Sequence, residues 1–348
     1  MPGAEPVILQ EAVAAFDAAT AGHADLNPVR TNLLMRLVCL EASGVSRVTY
    51  NRLVMLSGYG TSFAYHPTDF WIMYNPPDHP EETEKRLVRG TGGGWEWLRK
   101  AETVEGAWQV TRESVDRGTP VQAVWIDDYV FAGYRDADEP VDRQVYALGG
   151  WREPGWMPWA DLEQWVVGFG RLGRPTGPAE RGSEHDTVIE IMERTVAWAQ
   201  GDGRASTEWM NQGRFGLDGI EAYAADVADA TKAPDYFYRG WLCCHAINRQ
   251  TSGRRCAAAY FADAADLFPE PAASAMRAAA GQYEAASGAW ADYRRALLGD
   301  GAPIGEEEVT QAWSDPAKRA EAAAAIRRAA EHEAAAVAEI GKALGGMG

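Results

Sequence analysis

The stretch VEGAWQVTRESVDRGTPVQAVWIDD, residues 104–128, decides how the chain is read. Val104, Ala107, Val110 and Ser114 recur at helical spacing, and Gly118 supplies a stop. The chain then switches at once to TPVQAVWIDD, rich in Val and Trp, which reads as a strand. After a polar turn, RQVYALGGW (143–151) reads as its partner. A helix handing over to paired strands indicates an α+β domain with an antiparallel sheet in the middle of the sequence.

Towards the N-terminus the spacing predicts helices over 8–21, 28–42 and 50–56, and DFWIMYNPP (69–77) reads as a strand stopped by prolines. The run GTGGGW (90–95) has no strand leading into it and no Lys-Ser/Thr after it, so it is expected to be a surface turn and not a phosphate-binding loop. A G-x-S-x-G elbow is missing. Towards the C-terminus, GFGRLGRPTGPAERGSEHD (168–186) is rich in Gly, Pro and Arg and marks a boundary. The expected organisation is an α+β domain over 1–170, a linker over 171–186 and an all-α domain over 187–348. Ser314 is the expected N-cap of a terminal helix with Ile326, Ala330, Val337, Ile340 and Leu344 on one face, lying on the bundle or pairing with a second copy.

The 348 residues, 46% apolar and 24% charged, belong to a globular chain. A formal charge of −17 argues against nucleic acid and anionic lipid as partners, and an acidic small molecule would need a local basic pocket. The N-terminal segment lacks the basic and apolar regions of a signal peptide, and no apolar run has membrane-spanning length, so a cytoplasmic location is expected. Four cysteines, Cys39, Cys243, Cys244 and Cys256, make no disulfide scaffold.

Cys243-Cys244-His245 is the first candidate cluster. On a helix Cys244 and His245 share a face with Trp241 and Asn248 while Cys243 turns away, and no second ligand pair completes a zinc site. These cysteines read first as small buried hydrophobes, and second as a thiolate assisted by His245 or by Arg249, Arg254 and Arg255. His66, Asp69 and His79 are too loosely spaced for a metal motif, and neither a metal nor a cofactor is expected. Asp127 and Asp128 end a strand and could do acid/base work if burial separates their pKa values; Asp136, Asp138, Glu139 and Asp142 read as a solvated hairpin tip. Trp95, Trp97, Trp151, Trp156 and Trp159 are expected in Gly/Pro-rich loops and suit either pocket walls or core packing.

The helix over 28–42, VTYNRLVMLSGYGTSF (48–63), the helix leading into RGTPVQAVWIDDY, and DRQVYALGGW, in that order, resemble the papain-like domain of the butirosin biosynthesis protein H family. GLDGIEAYAADVAD and RRCAAAYFADAADLFPEPAASAMRAAAGQYEAA resemble its downstream helices, so the likeness spans most of 28–298. It implies a papain-like cysteine-peptidase fold; the family's named member transfers an acyl group from a carrier protein to an aminoglycoside. It also implies a cysteine at the N-terminus of the first core helix and a histidine opening the later strand. Here Arg30, Thr31 and Asn32 occupy the first place, with Cys39 about two turns further in, and Asp142, Arg143 and Gln144 occupy the second.

The resulting expectation is a degenerate papain-like protein that binds a small molecule or peptide without covalent chemistry, in a cleft lined by Thr31, Ser57, Tyr59, Thr61, Ser62, Asp127, Tyr129, Arg143 and Tyr146. One alternative is an acyltransferase or hydrolase of secondary metabolism with relocated groups, Cys244 with His245 or Asp127 with Asp128; Thr31 would serve as nucleophile only beside a strong base. The other is a homo-oligomeric scaffold built through the terminal helix.

Overall fold

The computed structural model describes residues 6–22, 31–68, 70–72, 78–98, 103–124, 128–149, 153–162, 171–203, 208–232, 243–299 and 306–347. In chain order the elements are β1 Val7–Ile8, α1 Gln10–Gly22, α2 Thr31–Ala42, α3 Tyr50–Leu56, β2 Ala64–His66, β3 Trp71–Ile72, α4 Pro80–Thr91, β4 Gly93–Leu98, α5 Val104–Asp116, β5 Val121–Val124, β6 Tyr129–Arg135, β7 Gln144–Gly149 and β8 Gly155–Pro158. They continue with β9 Arg171–Pro178, α6 Glu184–Ala199, α7 Glu208–Asn211, β10 Arg214–Phe215, α8 Gly216–Ala228, α9 Cys243–Ala264, α10 Ala272–Leu298, α11 Glu306–Ser314 and α12 Pro316–Gly345. The chain forms two compact units, one of residues 1–53 and 88–181, the other of 54–87 and 182–348.

The first unit carries a seven-stranded antiparallel sheet in the order β4-β9-β5-β6-β7-β8, with β1 beside β6. The opening stretch behaves as its pattern requires. Thr103 caps α5, its hydroxyl accepting from the Gly106 N–H at 3.0 Å, and Gly118 ends the helix at φ +76°. Alternation along the strands then sorts the side chains between two faces. Val121, Ala123, Phe131, Val145 and Ala147 are buried against Ala107 and Trp108 of α5 and against Trp159. Gln122 points the other way, where its amide donates to the Asn32 carbonyl at 2.5 Å and pins the start of α2. α2 packs across β5, β6 and β9 on that face, and α1 lies over β6 and β7.

Two readings of the first unit change. Residues 171–178, expected in a linker, are strand β9, hydrogen-bonded between β4 and β5. Their lack of bulk reflects their neighbours: a Cβ on Gly173 would lie 2.7 Å from Trp95 Nε1 and 2.9 Å from Trp97, so tryptophans of β4 fill the volume that a β9 side chain would take. The glycine run is no surface turn either. Gly93 opens β4 in the interior, where a Cβ would stand 2.5 Å from Leu40 Cδ2. Trp95, Trp97 and Trp156 are accordingly strand residues and Trp159 is core, while Trp151 lies outside the described residues.

The second unit is helical around a small antiparallel sheet, β10-β2-β3. Residues 54–87 belong here and not to the α+β unit: Phe63, Tyr65, Phe70 and Ile72 are buried among Tyr223, Trp290, Tyr293 and Trp313. Phe63 stacks on Trp290 with centroids 5.5 Å apart, and Phe70 meets Trp313 edge-on at 5.4 Å. α10 and α12 pack along each other through buried alanines, among them Ala286, Ala289, Ala325 and Ala329, while the aromatic cluster supplies the bulk. Of the terminal helix's expected face, Ile326 and Ile340 are fully buried within this unit. Its N-cap is Asp315, one residue past Ser314: the carboxylate accepts from Ala317 N at 2.8 Å and Lys318 N at 3.3 Å. Pro316 at the first helical position has no N–H to satisfy.

No helix among the described residues is long and apolar enough to cross a membrane.

Candidate functional site

The described residues expected to line one cleft are divided between the two units, and those of the first unit lie on two faces of its sheet. In the first unit Tyr129 is buried in the α5-side core, and Arg143 lies on that same side, ion-paired with Glu105 of α5 and 5.3 Å from the Trp108 ring centroid. Tyr146 follows a core residue, Val145, and so projects from the opposite side, edge-on to Trp156 at 5.4 Å. Sheet alternation therefore places these three on two faces. In the second unit Ser57 donates to the Val54 carbonyl at 2.9 Å, Thr61 meets Thr195 at 3.3 Å, and Ser62 is buried with its carbonyl accepting from Arg254 at 3.2 Å. Tyr59 lies beneath Arg249, 4.2 Å from its guanidinium carbon. These groups fix the SGYGTSF loop from inside; Arg249 and Arg254 are both buried, and Arg254 is ion-paired with Glu333.

The catalytic candidates divide. Cys39 is fully buried on α2, and burial pushes its thiol far above the usual range against the smaller pull of Arg36. Cys256 is buried on α9. Asp128 is buried just ahead of β6. Asp127 and the side chains of Thr31, Cys243, Cys244 and His245 lie outside the described residues. His66 is buried in β2, His79 is exposed, and Asp69 is outside the described residues. Among the described residues no three His, Cys, Asp or Glu side chains cluster as metal ligands.

A pocket of about 530 Å³ opens in the first unit, at the end of β5. Ala42 and Ser43 reach it from the end of α2; Ser114, Arg117, Gly118 and Thr119 from the end of α5; Glu96 from β4; and Arg174 with Thr176 from β9. Each wall has a local cause. The C-terminal turn of α5 is closed by the Ser114 hydroxyl donating to the Thr119 carbonyl at 3.0 Å and by the Thr119 N–H donating to the Ser114 carbonyl at 2.9 Å. Glu96 and Arg174 face each other in the β4–β9 register, and the Arg174 Nε donates to Glu96 Oε1. Immediately beyond, the register slips so that Gly94 pairs with Gly177 and Trp95 with Pro175, leaving Thr176 as the extra residue of a bulge whose side chain is exposed at the pocket.

The pocket thus presents two arginines against one glutamate, with four hydroxyl side chains and neither thiol nor imidazole among its lining residues. It is locally basic in a chain of charge −17. Its lining offers guanidinium and hydroxyl groups beside one carboxylate. Glu96, Arg117 and Arg174 belong to no motif visible along the sequence. The cross-strand charge pair is the signal that marks them, and it becomes visible only once residues 78 apart in sequence are known to be partners.

No protein-family model matches the chain, and no curated protein sequence matches it.

Proposed function

We propose that the chain is a papain-like protein without thiol chemistry, and that it binds a small polar molecule non-covalently in the pocket at the end of β5. One observation carries the reading: the open pocket is walled by charged and hydroxyl groups without thiol or imidazole. The burial of Cys39, the only cysteine of the first unit, supports it. An antiparallel sheet with a core helix across one face agrees with the fold the resemblance implies, and about 530 Å³ suits a small molecule better than a peptide.

The test combines thiol labelling with a ligand screen. Native protein treated with iodoacetamide at neutral pH is expected to leave Cys39 unmodified by peptide mass spectrometry. A library of small polar molecules is expected to contain one that raises the melting temperature by about 5–10 °C at a hundredfold excess over Kd. Thr176→Trp, which fills the pocket from its exposed bulge, should abolish that shift. Rapid native alkylation of Cys39, or a screen in which Thr176→Trp and the native chain respond alike to every compound, would overturn the reading.

A further inference from the structure

We propose that this pocket recognises an oxyanion, a carboxylate or phosphate group carried on a small hydroxylated molecule; the inference rests on the binding reading above and assigns its ligand class. Arg174 engages Glu96 through Nε, and among the described residues neither of its Nη nitrogens has a partner. Among the described residues Arg117 makes no ion pair through its side chain, which is exposed at the rim. Among the described residues the Ser43 hydroxyl, itself buried beside the pocket, has no hydrogen-bond partner. Two guanidinium groups with free N–H donors and one unsatisfied hydroxyl therefore border a single cavity.

A guanidinium with its Nη pair open presents parallel donors matched to the two oxygens of a carboxylate or phosphate. Glu96 acts as a positioning residue. It sits directly opposite Arg174 on the neighbouring strand, and β9 is itself held between β4 and β5, so the guanidinium orientation is set before any ligand arrives. A cationic ligand would find Glu96 as the sole carboxylate among the lining residues, already engaged by Arg174. Thr119 and Thr176 offer hydrogen-bonding groups to the hydroxylated remainder of the molecule.

The experiment is isothermal titration of the full chain at low ionic strength with inorganic phosphate, malonate, glycerol and methylamine. Phosphate, malonate or both should bind, and Arg174→Gln should weaken that binding roughly tenfold or more. Arg117→Gln should weaken it several-fold, Thr176→Trp should abolish it, and Arg255→Gln, an exposed arginine of the other unit, should leave it unchanged. Equal anion affinity in Arg174→Gln and native protein overturns the proposal, as does an equal loss in Arg255→Gln, which would mark diffuse surface charge. Glycerol or methylamine binding that Thr176→Trp removes, with neither anion bound, overturns the oxyanion assignment and leaves the pocket reading standing. If no probe and no library compound distinguishes Thr176→Trp from native protein, both fall.

Discussion

Replacing Glu333 by alanine removes one half of an ion pair in the interior of the second unit, and the structure allows its cost to be worked out. Arg254 has no exposed side-chain surface and Glu333 retains 5%. All five guanidinium N–H groups are engaged: Nε and Nη2 reach the Glu333 carboxylate at 2.8 and 2.6 Å, and the others meet the Thr61 and Ser62 carbonyls and Gln250. Glu333 also accepts from Trp290 Nε1 at 2.9 Å. Removing the carboxylate strands a buried cation, which costs about 3–5 kcal/mol. It also orphans a buried indole N–H, worth about 1–3 kcal/mol. The two are coupled and do not simply add, so a loss of about 5 kcal/mol is expected. For a unit of about two hundred residues this is a fall in melting temperature of roughly 10–20 °C. Calorimetry following the second unit's transition measures it. Glu333→Leu combined with Arg254→Met removes both charges and should cost less than Glu333→Ala alone, because the desolvation penalty disappears with the pair. A loss under about 1 kcal/mol in Glu333→Ala, or a double variant as costly as the sum of the single ones, would show that the buried pair carries no such penalty.

Two further outcomes follow from other parts of the fold. The Cys39 thiol stays protonated in the folded chain well above the unfolded value near 8.5, so from about pH 8.5 upward the unfolded state releases a proton that the folded state keeps. Stability should then fall by up to about 1.4 kcal/mol per pH unit for this group. Tyr134, pushed up to about 12 chiefly by burial and then by its hydrogen bond to Asp116, should extend the decline above about pH 10. Cys39→Ala should flatten the first part of this profile in urea titrations, and parallel profiles for the two proteins would contradict it. Gly216 opens α8 at φ +62°, and an added Cβ would lie 2.3 Å from the Ala199 carbonyl oxygen and 2.4 Å from that of Trp198. Backbone atoms cannot yield as a side-chain tip can, so Gly216→Ala should cost about 3 kcal/mol or more, and a loss below about 1 would show that the turn relaxes freely.

Most helices were legible because they are set by local periodicity and punctuation; α4, Pro80–Thr91, was not among those expected. The third, 50–56, agrees with the structure at both ends, α5 ends at the expected glycine, and the N-terminal and terminal helices differ by a residue or two at their caps. What failed to show was partnership. Residues 54–87 sit between two segments of the α+β unit in sequence, and their aromatics alternate as a sheet core would. Only the presence of Tyr223, Trp290 and Trp313, far along the chain, makes them part of the other unit. β9 was hidden by the converse effect: its glycine is covered by tryptophans of another strand, so composition points to a linker where register makes an interior strand.

The same asymmetry governs the site. Residues expected to share a cleft were chosen by their place in the order of elements, and the order of elements does not decide which face a side chain takes. Within β7, a step of one residue from Val145 to Tyr146 carries the chain from the α5-side core to the opposite face. The residues that do converge, Glu96, Arg117 and Arg174, come from a strand, a helix end and a supposed linker. What unites them is the β4–β9 register, which sets the carboxylate against one guanidinium, and the closing turn of α5, which brings the second alongside. A charge of −17 spread over the chain makes that local reversal meaningful: an anion repelled by the whole protein can be held only where the fold gathers opposite charge, so anion binding there should weaken as added salt screens the contact pairs, and affinity that rises with salt in titrations would count against them.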